Sequence, residues 1–191
     1  MRAPAKREEE ILAAAARIFQ RKGYHGTSVR DIADAVGLLK GSLYHYISSK
    51  EDLLARLFEG LLEDTVAELD VIARRDASAA ERLREMVRAY ARAIIANQDA
   101  VGLYLREWRS LPAPELANLA ARRRRMRTLF SAVIADGARA GELAPGDPNL
   151  AALAILGMCN WMYEWYRPAG RLTPDAVIDE LAQRAVRSVR P

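Results

Sequence analysis

Apolar residues recur along almost the whole chain with the three-to-four-residue spacing of amphipathic helices. Ile11, Ala15, Ile18 and Phe19 are the first such set, and they predict a helix that ends at Gly23. Later segments repeat the period and are separated by proline or glycine, whereas the alternation typical of strands is absent. The pattern therefore predicts an all-α fold of nine helices.

Residues 27–50 predict two short helices joined by a tight turn. One face of the first helix is apolar and consists of Val29, Ile32, Ala33 and Val36. Thr27 or Ser28 can cap this helix, with Asp31 placed to complete a capping box. Gly37 suits a left-handed helix end, and the chain returns to helix near Leu39 or Lys40. This layout is that of a DNA-binding helix-turn-helix.

The second of these helices carries the side chains that DNA recognition requires. Gly41 and Ser42 are small, so the backbone can approach the bases closely. Donors to bases and phosphates are Lys40, Tyr44, His45 and Lys50. Leu43 and Ile47 are expected to pack inward, and His25 to support the inter-helix turn. For any single polar residue, an ordinary solvated surface position remains the alternative.

The positive charge is concentrated in the same part of the chain. The 191 residues contain 29 Lys and Arg against 25 Asp and Glu, a formal net charge of +4. Residues 1–50 hold nine of the basic and five of the acidic residues, and therefore the whole excess. We expect only this region to face a polyphosphate.

Other function classes lack their signatures. The single cysteine, Cys159, can form no internal disulfide, which fits a reducing cytoplasm. The longest apolar run, residues 150–159, is too short to span a membrane. Two histidines without a Cys or carboxylate cluster predict no metal site. No phosphate loop, nucleophile elbow or dinucleotide fingerprint is present, so we expect neither an enzyme nor a cofactor.

Residues 9–58 resemble the amino-terminal domain of the TetR family of transcriptional regulators. The resemblance is ungapped and rests on Thr27, Ile32-Ala33, Gly37, Gly41-Ser42-Leu43-Tyr44, Tyr46, Ser49-Lys50-Glu51 and Leu53-Leu54. Ile47 departs from the usual Phe, and Leu38-Leu39 occupies a turn where many members have small or polar residues; we expect this pair to tuck against the core. The resemblance implies a TetR-like fold, with a helix-turn-helix domain at 1–50 and a helical ligand-binding and dimerisation domain at 51–191.

The resemblance also implies roles for individual residues of the helix-turn-helix. Ser28 and Arg30 would contact DNA phosphates near the start of the second helix. Lys50 would hold the DNA backbone at the start of the fourth helix. The residues that would face the major groove are Lys40, Gly41, Ser42, Tyr44 and His45.

The eighth predicted helix, from about Pro148 to Tyr166, is apolar nearly all the way round. Such a helix must be buried on two sides, one of them against a partner chain. Helices eight and nine are therefore expected to pair about a two-fold axis in a four-helix homodimer interface, as in TetR-like proteins. A two-fold dimer sets two recognition helices about one duplex turn apart and predicts a palindromic operator.

Large apolar and basic residues of the carboxy-terminal half are candidates for an effector site. They are Met86, Tyr90, Tyr104, Trp108, Arg109, Arg123, Phe130 and Trp161. The alternatives are plain core for the apolar residues and a solvated face for the arginine cluster at 122–127. Residues 102–112 and 160–174 resemble a TetR subgroup that senses acyl-CoA thioesters in fatty-acid, steroid or aromatic-acid catabolism. That resemblance implies an apolar slot for the acyl chain and basic residues for the nucleotide phosphates.

The leading hypothesis is a cytoplasmic repressor that binds a palindromic operator as a homodimer and is released by a small-molecule effector, an acyl-CoA. One alternative is a TetR-type regulator that senses a hydrophobic drug-like molecule. Another is a helical enzyme that handles acyl-CoA, for which no catalytic constellation is visible. A third, an architectural DNA binder without a ligand, would need a basic face along the whole chain, and residues 51–191 are neutral overall.

Overall fold

The computed structural model describes residues 4–190. All regular secondary structure in this range is helical, and it contains no strand. The helices are α1 (Pro4–Lys22), α2 (Val29–Ala35), α3 (Lys40–Leu43), α4 (Lys50–Ala73), α5 (Ala79–Ala96), α6 (Gln98–Glu107), α7 (Ala113–Arg139), α8 (Pro148–Asn160), α9 (Met162–Trp165) and α10 (Pro174–Arg187). A 3-10 turn, Trp108–Ser110, follows α6. The predicted all-α fold is confirmed. The predicted eighth helix is divided at Trp161 into α8 and the one-turn α9, and the predicted ninth helix corresponds to α10.

The chain forms two compact units. The first contains the described residues up to Leu61 together with Asp99–Leu119. The second contains Leu62–Gln98 and the described residues from Ala120 onward. Helices α4 and α7 each begin in the first unit and end in the second. The domain boundary at residue 50 stays a prediction.

The first unit holds the helix-turn-helix on an apolar core. Its fully buried side chains come from α1 to α4 and include Ile11, Phe19, Ile32, Leu43, Leu53 and Phe58. Helix α2 contacts both α1 and α3. Phe58 also meets the ring of Tyr104 from α6 edge-on, with 5.1 Å between the centroids. Helices α2 and α3 are thereby fixed by packing, and α6 is part of the same unit.

The second unit is organised around α5, which packs against α8, α9 and α10. Its buried core includes Leu83, Met86, Val87, Phe130, Ile155 and Ala182. Gln98 closes one end of this unit by donating its Nε2 to the carbonyl oxygens of Tyr163, at 3.0 Å, and Tyr166, at 2.7 Å. The last carbonyl groups of a helix have no donor within the helix. The Gln98 side chain supplies a donor to two such groups, in α9 and just after it.

Candidate nucleic-acid interface

A reciprocal cap fixes the start of α2. Ser28 is the capping residue: its Oγ accepts from the Asp31 amide, and the Asp31 carboxylate accepts from the Ser28 amide at 2.8 Å. Thr27, the other predicted candidate, is buried and donates its hydroxyl to the Gly23 carbonyl. Lys22 Nζ lies 2.5 Å from Asp31 Oδ1. The hydrogen bond from Lys22 and those from Ser28 hold the pKa of Asp31 well below its usual range.

This network predicts a pH dependence for the stability of the helix-turn-helix. A carboxylate with a lowered pKa stabilises the fold fully above its unfolded pKa of about 3.9, and this contribution is lost as pH falls through the folded pKa. Asp31→Asn is therefore expected to lower the urea midpoint at pH 7, and the difference from wild type to shrink below about pH 4. Urea titrations followed by circular dichroism between pH 7 and pH 3.5 would measure this.

Asp34→Asn is the matched control on the same helix. Asp34 is exposed, and its nearest recorded ionic contact is Arg30 at 3.9 Å. An exposed pair of this kind contributes little, so the control is expected to follow wild type at every pH. Equal midpoints for all three proteins at pH 7 would contradict the role given to Asp31.

Helix α3 is a single turn that divides its side chains as predicted. Leu43 and Ile47 are buried, whereas Lys40, Gly41, Tyr44 and His45 are exposed and Ser42 is half-buried. Tyr44 keeps 47% of its surface exposed, which is high for a residue with an aromatic ring. The structure thus gathers the five residues predicted to face the groove on one turn and its extension. Ser28 and Arg30 lie exposed at the start of α2.

Leu39, which precedes α3, corrects one expectation. The pair Leu38-Leu39 was expected to tuck against the core, yet only Leu38 is half-buried and Leu39 is 79% exposed. The backbone of Leu39 is extended, with φ −67° and ψ 145°. Leu39 therefore precedes the helix, and its side chain does not follow the helical spacing that directs Leu43 to the core.

Lys50 has an intramolecular role as well as its predicted contact with DNA. Its Nζ donates to the carbonyl oxygens of Tyr24 and Thr27, both at 3.0 Å, and lies 4.3 Å from the centroid of the Tyr24 ring. Tyr24 in turn donates its hydroxyl to Glu51 at 2.9 Å. Burial and this bond raise the pKa of Tyr24 well above its usual range. An ammonium has three donors, so one hydrogen bond of Lys50 can still go to a phosphate.

His25 links the loop before α2 to α6 within the first unit. Its Nε2 lies 3.3 Å from Glu107 Oε2 at the end of α6, and its ring meets that of Tyr24 edge-on. The contact with Tyr24 agrees with the expected structural role of His25. The contact with Glu107 was not foreseen, because 82 positions of sequence separate the two residues.

The predicted effector residues fall in both units. Tyr104, Trp108 and Arg109 belong to the first, where the Arg109 guanidinium lies over the Trp108 ring at 4.3 Å. Met86, Tyr90, Arg123, Phe130 and Trp161 belong to the second. Only part of the second group comes together, because Trp161 is 60% exposed and Arg123 is exposed.

Met86, Tyr90 and Phe130 are all buried in the second unit. The rings of Tyr90 and Phe130 lie edge-on with centroids 6.3 Å apart, and Tyr90 donates its hydroxyl to Asn160 Oδ1 at 2.5 Å. Asn160 was missed by the sequence analysis. The available signal was an amide side chain inside the otherwise apolar eighth helix.

Among the residues that the structure describes, three polar atoms of the second unit are buried without a hydrogen-bond partner. They are Arg82 Nε, Arg127 Nε, one turn before Phe130 on α7, and the hydroxyl of Tyr166. Buried polar atoms are nearly always paired, so each is a place where a bound polar group would be stabilised. In the rest of the arginine cluster, Arg122 lies 3.6 Å from Glu63 and Arg125 pairs with Asp70. These two pairs support the solvated, ion-paired interpretation of that part of the cluster.

An exposed apolar stripe runs along α8 to the turn that follows it. Its members share one helical face and are Leu150, Leu153, Ala154, Gly157 and Trp161. Leu150 is 66% and Leu153 51% exposed, while the opposite face of α8 is buried in the second unit. Contiguous apolar surface of this kind marks an interaction site in soluble proteins.

The described residues do not support a reactive cysteine, a metal site or a membrane span. Cys159 is buried, and desolvation raises the pKa of its thiol to about 12, which makes it unreactive. The His, Cys, Asp and Glu side chains between residues 4 and 190 form no group of three that could hold a metal ion. Over the same range, no helix combines the length and hydrophobicity that a membrane crossing requires.

Comparison with known proteins agrees with the geometry. Residues 11–57 match the model of bacterial regulatory proteins of the tetR family, and residues 76–189 match the model of the tetracyclin repressor-like C-terminal domain. The chain is 34% identical to the HTH-type transcriptional repressor KstR2 of Rhodococcus jostii over 90% of its own length and 85% of that protein.

Two solved structures have similar folds. The ketosteroid transcriptional regulator KstR2 of Mycobacterium tuberculosis has a TM-score of 0.87 and 31% identity, covering 97% of this chain and 95% of that one. AibR in complex with isovaleryl coenzyme A and operator DNA has a TM-score of 0.84 and 30% identity, covering 97% and 98%. The prediction that the chain is not an enzyme is confirmed, because the family and these relatives are regulators. The chain belongs to the TetR family and is a helix-turn-helix transcriptional regulator.

Proposed function

We propose that this regulator is a repressor that binds a palindromic operator as a homodimer and leaves it when an acyl-CoA thioester binds. The observation that carries the proposal is the division of side chains in α3 and the turn that follows it, where Leu43 packs inward while Lys40, Tyr44 and His45 are exposed. A basic, aromatic surface of this kind at the start of a recognition helix is suited to base edges and phosphates. The relatives that are repressors support the direction of regulation.

The apolar stripe of α8 supports the homodimer. A two-fold axis beside α8 would bring Leu153 and Trp161 of one protomer against the same face of its partner. The adjoining groove between α8 and α10, of about 470 Å³, is lined by Ala154, Met158 and the arginines Arg184 and Arg187. An apolar centre with a polar rim is the usual composition of such an interface. Burial of the stripe would remove the largest apolar residues of α8 from water.

We place the proposed acyl-CoA site in the second unit. Met86 and Phe130, which are both buried, would supply apolar surface for an acyl chain, and Tyr90 with Asn160 would supply polar groups at its edge. The unpartnered Nε of Arg127 is a donor for a phosphate or carbonyl oxygen. The neighbour AibR was solved with isovaleryl coenzyme A, which supports this class of ligand over a neutral drug-like molecule. The predicted contacts of Tyr104, Trp108 and Arg109 with the ligand remain proposals.

The experiment is fluorescence anisotropy on labelled DNA from just upstream of the gene, titrated with medium- and long-chain acyl-CoAs and with free CoA. We expect tight, salt-sensitive binding that an acyl-CoA abolishes and free CoA does not. Thermal unfolding with the same thioesters, without DNA, gives an independent measure of ligand binding. Specific DNA binding that no thioester changes would retain the regulator and reject the effector.

Arg127→Gln tests the position of the effector. Loss of a charge-assisted hydrogen bond is expected to raise the acyl-CoA concentration needed for half release about tenfold or more, with operator affinity unchanged. Arg124→Gln, an exposed arginine on the same helix, is the matched control and is expected to behave as wild type. Equal effects of the two substitutions would mean that only net charge matters and would contradict a site at Arg127.

A further inference from the structure

Leu39 is the most exposed large apolar side chain among the described residues, with 79% of its surface accessible. It lies immediately before α3, next to the exposed Lys40 and Gly41 and five positions before the exposed Tyr44. An isolated exposed leucine on an ordinary surface needs no explanation. This one stands at the start of the helix that a helix-turn-helix uses to contact bases, among the side chains that are exposed on the DNA-facing side.

Leucine is an unfavourable residue at the start of a helix, because its side chain cannot accept a hydrogen bond from the first backbone amides. Leu39 is the N-cap of α3 and makes no side-chain capping bond. Four longer helices have side-chain caps, at Ser28 for α2, Ser78 for α5, Asp147 for α8 and Thr173 for α10, whereas the one-turn α9 has none. A serine or threonine at position 39 would satisfy an unpaired amide of α3, which leucine cannot do. A local rule that is broken at a binding surface indicates that the residue serves the ligand instead.

An apolar side chain at the start of a recognition helix has one apolar partner in the major groove. Each base pair presents donors and acceptors there, and thymine alone adds a methyl group at C5. We propose that Leu39 packs on the C5 methyl of one thymine in each half of the operator and so selects T·A at that position. This inference rests on the proposed function as an operator-binding dimer, and it adds the base that one residue recognises.

The test begins by selecting duplexes bound by wild-type protein from a random pool. Each thymine of the recovered duplex is then replaced by deoxyuridine, which removes only the C5 methyl, and affinities are measured by fluorescence anisotropy. We expect one thymine per half-site at which the change weakens wild-type binding about fourfold, the factor for burying one methyl group. Changing both half-sites together should weaken binding about fifteenfold. Leu39→Ala should bind the thymine and deoxyuridine duplexes equally.

Two further variants separate base recognition from folding. Leu39→Ser places a capping residue at the start of α3, so its thermal midpoint should equal or exceed that of wild type while discrimination against deoxyuridine is lost. Val71→Ala shortens another exposed apolar side chain, outside the first unit, and should keep wild-type discrimination.

The possible outcomes distinguish this inference from the proposed function. If wild type binds a selected sequence but no thymine is sensitive to deoxyuridine, the role of Leu39 is wrong and DNA recognition stands. If a thymine is sensitive and stays so in Leu39→Ala, another residue contacts that methyl and the role of Leu39 is again wrong. If no sequence is enriched from the pool, the proposed function fails and this inference with it.

Discussion

Alanine at both Lys40 and Tyr44 is expected to weaken operator binding at least a hundredfold. Lys40 is exposed on α3 and Tyr44 directly after it, so their removal leaves the buried contacts of Leu43 and Ile47 unchanged. A recognition contact is worth about 1–3 kcal/mol, and a dimer loses each of them twice. The slope of log affinity against log salt should also fall, by at most about two, because the positive charge of one Lys40 is lost from each half-site. Anisotropy titrations at several salt concentrations measure both effects.

Arg139→Ala is the matched control for charge. Arg139 is 78% exposed at the end of α7, in the second unit, and its recorded ionic contact is the neighbouring Asp136. Its loss should leave the operator affinity and the salt slope within error of wild type. If the Lys40 and Tyr44 variant kept wild-type affinity while remaining folded by circular dichroism, α3 would not be the helix that contacts the operator.

Lys50 is excluded from that variant because it has two roles. Its ammonium holds the Tyr24 and Thr27 carbonyls, so its truncation would loosen the loop before α2 as well as remove the proposed phosphate contact. A loss of affinity in Lys50→Ala would therefore not separate DNA contact from folding. Lys40 and Tyr44 allow that separation because the structure records no hydrogen bond from their side chains that folding would need.

The local features of the helix-turn-helix followed from the sequence. The cap at Ser28, the left-handed turn at Gly37 and the inward positions of Leu43 and Ile47 depend on residues within a few positions of one another. Short-range rules of capping and periodicity determine such features, and the ungapped match to the TetR family covers the same segment. Once Leu43 and Ile47 are placed inward, the same periodicity leaves the other positions of α3 and its extension on the exposed side.

Contacts between distant residues could not be obtained in this way. Lys50 bonds Tyr24 across 26 positions and Tyr90 bonds Asn160 across 70, and single-sequence patterns do not say which distant polar groups meet. A helix that is apolar all round, such as α8, also carries no periodic signal for its outer face. The sequence therefore did not show that Trp161 is 60% exposed and lies on the stripe, and its contact with an effector stays a prediction.

That stripe gives the second large expected effect: Leu153→Asp should convert the proposed dimer to monomer. Leu153 is 51% exposed in the single chain, so the carboxylate stays hydrated and the monomer should fold normally. In the proposed dimer the same carboxylate would be buried twice beside the two-fold axis, without a partner. An unpaired buried charge costs about 3–5 kcal/mol, which weakens dimerisation by at least about a hundredfold. Sedimentation velocity across a concentration series measures the change.

Operator binding should fall with dimerisation, because a monomer can engage only one half of a palindrome and loses the effective concentration that links the two halves. Val71→Asp is the control, since Val71 is 62% exposed on α4 and lies outside the stripe; it should remain dimeric and bind DNA as wild type does. A Leu153→Asp protein that stayed dimeric with wild-type operator affinity would show that the protomers meet through a different face. A monomer that kept full affinity would show instead that the two half-sites are recognised independently, and the palindromic operator would lose its physical basis.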